Sequence, residues 1–224
     1  MNKIAMAVVA LVATSGAQAT IISVSDTFGL ASTNWTHSIG ASQFNNTLGN
    51  LNSATVTFSG DMVQRFKAEN IGADADTLTP VAQASFFFRK LLIAQQTLTL
   101  TGVTSSFAAT AYDGTFDYAG TSGIDFGSVA ANGAITFTVT GPALADFIGV
   151  GTLGSAGFDV FAKGEGRIDS DNGNLNASVT TQARYNLTVD YDYSLRSVPE
   201  PSALALVGLA LVGVSVLRRK ANQA

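Results

Sequence analysis

The chain has 224 residues, a net charge of −4 at pH 7 and no cysteine. The lack of cysteine excludes disulfide staples, thiolate metal sites and cysteine nucleophiles, so stability must come from burial and backbone pairing. The acidic balance argues against nucleic acid as a partner, because acidic surfaces repel phosphate backbones.

Residues 1–19 predict a secretory signal peptide. Lys3 is followed by a uniformly apolar run, a short polar stretch and the small residues Ala17 and Ala19. A cation, an apolar run and an A-x-A site in this order are typical of secretory signals. A first core helix is the alternative, but the run has no polar side. We expect export through the Sec machinery, cleavage after Ala19 and a mature chain that starts at Thr20.

The mature segment, residues 20–197, has the size of one domain with an ordinary buried core. It holds 8 of the 12 cationic residues and 15 of the 16 acidic residues, which gives it a net charge of −7. This acidity favours solubility and, weakly, divalent cations as partners.

Four segments of this domain alternate apolar residues with hydroxyl or acidic residues, which predicts half-buried strands. They are ATVTFSG at 54–60, TLTLTGV at 97–103, AITFTVT at 134–140 and NLTVDYDYS at 186–194. Two further runs are β-rich without clean alternation, which favours central strands. They are IISVSD at 21–26 and VAQASFFF at 81–88.

Turn signals separate these runs at Asp113-Gly114, Asn132-Gly133 and Asn172-Gly173, because the second residue of each pair readily takes a positive φ. Segment 142–149, PALADFIG, predicts a single helical turn with proline at its start. The glycine-rich stretch 112–133 predicts a long loop. The pattern as a whole predicts an all-β fold, an antiparallel β-sandwich or jelly roll.

The last 27 residues, 198–224, combine a rigid triplet, an apolar span and a basic cluster. Pro199, Glu200 and Pro201 form an extended, accessible stretch, because proline fixes φ and lacks an N–H donor. Residues 202–217 carry no charge and predict one short transmembrane helix. The cluster over 218–220, made of Arg218, Arg219 and Lys220, predicts a stop-transfer signal that leaves the domain outside the inner membrane.

This tail resembles the PEP-CTERM sorting signal of Gram-negative bacteria that make exopolysaccharide. The resemblance implies that an exosortase, a transpeptidase-like membrane enzyme, reads the triplet and removes the tail during delivery to the surface. The precursor would then be anchored in the inner membrane, and the product would lie at the cell surface or in the extracellular matrix. A permanent single-pass anchor with a proline-rich stem is the alternative.

The mature domain is similar to the choice-of-anchor E domain of bacterial surface proteins, which implies a β-sandwich of undefined function. The likeness rests on four pieces: residues 43–58, Glu69-Asn70, residues 144–152, and the closing strand with Tyr185, Tyr191 and Tyr193. The chain departs from this pattern at Asn45, where an aspartate is expected.

No catalytic constellation stands out in the sequence. The single histidine, His37, has no G-x-S-x-G elbow to serve, and a triad is recognised by geometry that the spacing does not support. A glycosidase needs two carboxylates across a cleft, one with a raised pKa. The candidates are Glu69 and Glu165, with Asp113, Asp117 and Asp125 in the glycine-rich stretch. We therefore expect that the protein is not an enzyme.

Two weak ligand sites remain open. Asp169, Asp171 and Asn174 imitate the start of a calcium loop, but the glycine is misplaced for an EF-hand and a solvated Asp/Asn turn is the favoured alternative. Trp35, with nearby Phe44, could offer an aromatic platform to a sugar ring, although a single tryptophan more often packs in a core. No other cofactor is expected.

These observations predict a structural or adhesive protein of the cell surface or exopolysaccharide matrix. The alternative is a carbohydrate-binding module, with or without calcium, that recognises exopolysaccharide. A glycan-modifying enzyme ranks last.

Overall fold

The computed structural model of the chain describes residues 19–90 and 93–196. Ten β-strands and two short 3₁₀ helices occupy these ranges, and the helices span Gly141–Phe147 and Gly154–Ala156. The strands are β1 Ala19–Ser32, β2 Trp35–Ser38, β3 Gly49–Asn70, β4 Asp76–Lys90, β5 Ile93–Gly102, β6 Phe107–Ala109, β7 Gly123–Val139, β8 Asp159–Gly164, β9 Arg167–Ser170 and β10 Leu175–Leu195.

The strands form two antiparallel sheets. The first has the order β1-β10-β3-β7. The second has the order β2-β8-β4-β5, and β6 and β9 pair with the first part of β4. The inner faces of the two sheets share one apolar core. The predicted antiparallel β-sandwich is therefore confirmed.

The alternating segments place their apolar residues in that core, as their period of two requires. On β3, Ala54, Val56 and Phe58 are buried. The ring of Phe58 lies 5.6 Å from the ring of Phe86 on β4 and 5.4 Å from the ring of Tyr185 on β10. Aromatic contacts therefore join the two sheets across the centre of the sandwich.

On β3 and β7, the hydroxyl residues of the alternating segments line the outer face of the first sheet. Thr55 and Thr57 on β3 lie opposite Thr138 and Thr136 on β7, and each pair shares a side-chain hydrogen bond, of 3.1 Å and 3.2 Å respectively. The outer face is therefore a cross-strand ladder of hydroxyl groups.

The prediction of a turn at Asn132-Gly133 is wrong. Both residues lie inside β7, where Gly133 pairs with Gly60 of β3. A Cβ at Gly133 would lie 2.9 Å from Cδ2 of Leu100. The glycine thus allows a close approach between the sheets, and it makes no turn. The predicted loop over 112–133 is also shorter than expected: it ends at Ser122, because β7 begins at Gly123.

Of the two predicted central strands, one is central. The run 81–88 belongs to β4, which lies between β8 and β5, whereas the run 21–26 belongs to β1 at the edge of the first sheet. One side of an edge strand has no hydrogen-bonded neighbour, so hydrophobicity alone does not reveal its place in a sheet.

The remaining local predictions are confirmed. The proline of segment 142–149 lies in the first turn of the 3₁₀ helix Gly141–Phe147. Gly114 has a φ of 92° in the loop before β7, and Gly173 has a φ of 74° in the turn between β9 and β10. Both values lie in the left-handed region, which glycine adopts at little cost.

Strand β10 defines two opposite ends of the first sheet. At the proximal end, Leu195 pairs with Gly49 and Ser194 pairs with Ala19. At the distal end, Leu175 pairs with Asn70. The 21 residues of β10 separate the two ends by about 60 Å, given about 3.3 Å per residue and some twist.

Candidate functional site

The predicted sorting residues lie outside the described part of the chain. This holds for Pro199, Glu200 and Pro201, for the helix over 202–217 and for the cluster over 218–220. Their roles stay predictions. Within the ranges 19–90 and 93–196, no helix has the length and apolar character needed to cross a membrane.

The expected start of the mature chain lies beside the start of the tail. Ala17 is outside the described residues, but Ala19 begins β1 and pairs with Ser194 of β10. Thr20, the expected first mature residue, pairs with Tyr193. The described chain stops at Arg196, just beyond this pair. Both termini of the domain therefore lie at the proximal end.

Three loops meet at the distal end, over residues 71–75, 110–122 and 171–174, and we call them the distal loop cluster. Asn70, which is fully buried, holds two of them. Its side-chain amide donates to the carbonyls of Asp74 at 2.8 Å and Thr110 at 2.7 Å. Its Oδ1 accepts the N–H of Gly72 at 2.9 Å. One amide thereby satisfies three backbone groups that the loops leave unpaired.

Glu69 performs the same task for the longest loop. Its carboxylate is fully buried, and it accepts the Tyr118 N–H at 2.7 Å and the Ser122 Oγ–H at 2.6 Å. A Cβ at Gly123 would overlap this carboxylate, so glycine is required there. These two hydrogen bonds tie Tyr118 and Ser122 to the end of β3, which makes Glu69 an anchor of the loop.

The loop carries a pair of neighbouring aromatic rings, of which Phe116 is exposed and Tyr118 is half-buried. The rings of Phe116 and Tyr118 lie 5.1 Å apart, and Phe116 is 51% exposed. Tyr118 has a φ of 57°, and only one other non-glycine residue in the described ranges has a positive φ, Asn34. Its hydroxyl donates to Oδ1 of Asn176 at 2.9 Å. The ring is thus fixed at both its backbone and its hydroxyl.

Asp76 anchors the third loop of the cluster. It is 5% exposed and accepts the Ser170 Oγ–H and the N–H groups of Asp171 at 2.8 Å and Thr77 at 2.7 Å. Burial by itself would raise the pKa of Asp76, but these hydrogen bonds together outweigh it, so the pKa lies below the ordinary value of 3.8.

This arrangement predicts a loss of stability in acid. A carboxyl group with a depressed folded pKa contributes stability above its unfolded pKa, and that contribution disappears as the pH falls through the folded pKa. We expect Asp76→Asn to lower the free energy of unfolding at about pH 5 by about 1–2 kcal/mol. The gap to the wild type should shrink below about pH 3.8. Urea unfolding at several pH values measures it, and a gap that stays constant down to about pH 2 would contradict the assignment.

Of the weak calcium candidates, Asp169 uses its side chain in an ion pair, and Asp171 and Asn174 make contacts through their backbone N–H groups. The Asp169 carboxylate pairs with Arg167 at 2.8 Å, and both side chains are more than half exposed. The Asp171 N–H donates to Asp76, and the Asn174 N–H donates to Oδ1 of Asn172 at 2.9 Å. In the part of the chain that the structure describes, no three His, Asp or Glu side chains are grouped to hold a metal ion. A calcium role for these residues stays a prediction.

Trp35 and Phe44, the predicted sugar platform, pack in different surroundings. The Trp35 ring lies 4.4 Å from the ring of Phe28, and its Nε1 is buried with no hydrogen-bond partner. Phe44 is 2% exposed and contacts the rings of Tyr191 and Tyr193. Their placement gives the two residues packing roles at the rim and in the core of the sandwich.

His37 belongs to a hydrogen-bonded chain that joins three strands. The Tyr185 hydroxyl donates to Oδ2 of Asp26 at 2.7 Å, so its only proton is used there. The His37 Nδ1, at 2.8 Å from the same hydroxyl, must therefore be the donor in that contact. Burial, and then the hydrogen bond to Asp26, raise the pKa of Tyr185, which keeps the phenol neutral. The chain connects β1, β2 and β10.

The predicted glycosidase carboxylates do not form one site. Glu69 lies in the first sheet, whereas Glu165 follows β8 of the second and accepts from Ser85 and Lys163. The hydrogen bond from Ser85 is the largest of the effects that lower the pKa of Glu165. Arg65, bonded at 2.7 Å, lowers the pKa of Asp125 to about 2. A general acid requires a shift in the opposite direction.

The other two acids of the glycine-rich stretch stabilise turns of the loop. Asp113 accepts the Thr115 N–H at 2.9 Å, and Asp117 accepts the Ala119 N–H at 2.9 Å. Both side chains are on exposed residues next to the aromatic pair. The sequence interpretation did not select Phe116 and Tyr118. The signal that could have found them is two aromatic residues in an otherwise small and polar loop.

The β-sandwich has both ends of its described chain at the proximal end, and the predicted sorting tail follows directly after it. The family model described as the PEP-CTERM protein-sorting motif matches residues 197–220, which begin directly after the described domain. The end of the chain therefore carries a PEP-CTERM protein-sorting motif. The motif implies export, a membrane-anchored precursor and exosortase-dependent sorting to the cell surface. The likeness to choice-of-anchor E domains stays a prediction.

Other comparisons add little. The search of curated proteins gave no match. Among solved structures, T=1 particles derived from infectious bursal virus align with 95% of this chain at 9% identity and a TM-score of 0.14. The chain spans about half of that protein, 52% of its length. Mud crab tombus-like virus aligns with 92% of this chain and 96% of its own at 8% identity and a TM-score of 0.15.

Proposed function

We propose that the protein is a non-enzymatic structural or adhesive component of the cell surface or the exopolysaccharide matrix. Its route would run through the Sec machinery and the inner membrane, and exosortase processing at Pro199, Glu200 and Pro201 would follow. The observation that supports this role is the course of β10. One continuous strand connects the residues next to the sorting motif with the distal loop cluster.

This geometry suits a protein that must hold its far end away from the cell. β10 lies between β1 and β3: β3 pairs with it over residues 175–195, and β1 pairs with it over residues 182–194. Its inward residues from 183 to 193 are buried at every second position. A strand supported in this way resists bending, so a tether at the proximal end would carry the distal loops about 60 Å outward.

A complementation experiment tests the role. In an exopolysaccharide-producing bacterium with an exosortase, we expect deletion of this chain to weaken surface attachment and matrix cohesion. The wild-type chain should restore both. A variant with Pro199, Glu200 and Pro201 replaced by alanine should remain in the membrane fraction and should not restore them. Unchanged attachment after deletion, or full rescue by the alanine variant, would overturn the proposal.

A further inference from the structure

We infer that one loop of the distal loop cluster, over residues 110–122, carries a binding site for neutral saccharide chains. Phe116 and Tyr118 are its stacking platform. This inference rests on the proposed surface role and names its ligand class. It places sugar recognition at the opposite end of the sandwich from the sorting tail, on residues unrelated to Trp35.

The first support is the exposure of aromatic rings in this loop. Phe116 is 51% exposed and Tyr112 is 38% exposed, whereas Tyr118 is half-buried beside Phe116. Burying such a ring would contribute about 1.5–3 kcal/mol, which this loop forgoes. A single exposed ring is ordinary, but Phe116 and Tyr118 form an angled apolar surface, because their rings are tilted by 59° to each other. The apolar C–H face of a pyranose ring can stack on the exposed ring of Phe116 while its edge contacts Tyr118.

The second support is that the platform is held rigid before any ligand arrives. The positive φ of Tyr118 is unfavourable for a residue with a bulky side chain, and it persists because the surrounding structure enforces it. Two hydrogen bonds enforce it: the Tyr118 N–H donates to the Glu69 carboxylate, and the Tyr118 hydroxyl donates to Oδ1 of Asn176. Preorganisation of this kind increases affinity, because little entropy is lost on binding.

The third support is the polar surrounding of the rings. Asp113 and Asp117 each use Oδ1 to accept one loop N–H, and both residues are exposed. Carboxylates beside a stacking ring accept hydrogen bonds from sugar hydroxyls. An apolar face with a few fixed polar groups is the usual composition of a small-ligand site.

The charges near the platform favour a neutral ligand over an acidic one. The nearest cation, Lys67, lies 5.8 Å from the Tyr118 ring centroid and pairs with Asp125 at 3.4 Å. The second cation of this region, Arg65, pairs with the same carboxylate. Asp113 and Asp117 would repel a uronate or a sulfated sugar.

The test uses the mature protein recovered from the surface fraction, in affinity electrophoresis through gels that contain dextran, mannan or alginate. We expect at least one neutral polymer to retard the wild type and alginate to have no effect. Phe116→Ala should weaken retardation about tenfold or more. Val150→Ala, a truncation at a residue that is 96% exposed elsewhere, is the matched control and should bind like the wild type. Equal thermal midpoints for the two variants would show that the fold is intact.

Three outcomes overturn the site: no retardation by either neutral polymer, wild-type binding by Phe116→Ala, or a preference for alginate. Each leaves the proposed surface role standing, because that role is judged by attachment of the deletion strain. Conversely, unchanged attachment together with Phe116-dependent retardation would reject the adhesive role and keep the saccharide site.

Discussion

Replacing Phe58 with alanine is expected to lower the free energy of unfolding by about 4 kcal/mol. Phe58 is 1% exposed, and its ring joins Phe86 of the second sheet to Tyr185 of the first. Truncation removes the transfer free energy of the ring and leaves a cavity, because long paired strands cannot close around it. Urea unfolding at neutral pH measures the loss, which is a large fraction of the stability of an ordinary domain.

Phe87→Ala is the matched control for this experiment. Phe87 lies next to Phe86 on β4, but it points to the outer face of the second sheet, where it stacks on Phe161 at 5.9 Å and is half-buried. Its truncation leaves no closed cavity, so we expect a loss of about 1 kcal/mol. Equal losses for the two variants would mean that the core does not lie between the sheets as described.

Replacing Glu69 with alanine is expected to lower the free energy of unfolding by about 3 kcal/mol. The substitution leaves two groups without an acceptor, the Tyr118 N–H and the buried Ser122 hydroxyl. The strained backbone of Tyr118 should then relax and the loop should lose its fixed conformation. Limited proteolysis should show new cleavage within residues 110–122, and saccharide binding should fall with it.

Two substitutions control for this result. Glu69→Gln keeps one acceptor oxygen but sets an amide N–H₂ against a donor, so its loss should be smaller but still measurable. Glu165→Ala removes the other glutamate of the mature domain, whose side chain is 26% exposed and whose partner Ser85 also contacts Thr99. We expect Glu165→Ala to lower the free energy of unfolding by about 1 kcal/mol and to leave proteolysis of the loop over 110–122 unchanged. A Glu69→Ala protein with wild-type stability and proteolysis would contradict the anchoring role.

The strands of the core were predictable because their chemistry is local. Leu187, Val189 and Tyr191 alternate with polar residues, and each of them is buried on β10. A strand with one face toward the core and the other toward water shows this alternation of apolar and polar residues in its own sequence. The strand limits were not predictable, because β3 and β10 continue through glycines and polar residues that only a neighbouring strand can accommodate.

The buried polar anchors escaped prediction for a related reason. Glu69, Asn70 and Asp76 are acceptors and donors for loops that lie up to 95 residues away in the sequence. The residues adjacent to these anchors in the chain do not reveal the remote partners. The Tyr185 hydroxyl likewise meets Asp26 across 159 residues. The sequence interpretation treated Glu69 as a possible catalytic acid, whereas its surroundings in the structure are those of a loop anchor.

The sorting tail was predictable because its function needs no folded partner surface within the chain. An extended triplet, an apolar span and a basic cluster are each properties of a short segment, and their order is read by other machinery. The family match over 197–220 confirms the resemblance to a PEP-CTERM sorting motif. The domain geometry adds the orientation, since both termini lie at the proximal end and the aromatic loop at the other.

Intact mass with terminal sequencing of the native protein, recovered from membrane and matrix fractions, tests the central claim most directly. A matrix product that starts at Thr20 and ends between Val198 and Pro201 is the predicted result, and it would establish export followed by processing at the sorting motif. A product that still carries Leu217 and the cluster Arg218, Arg219 and Lys220 in every fraction would contradict it, and would make the tail a permanent anchor.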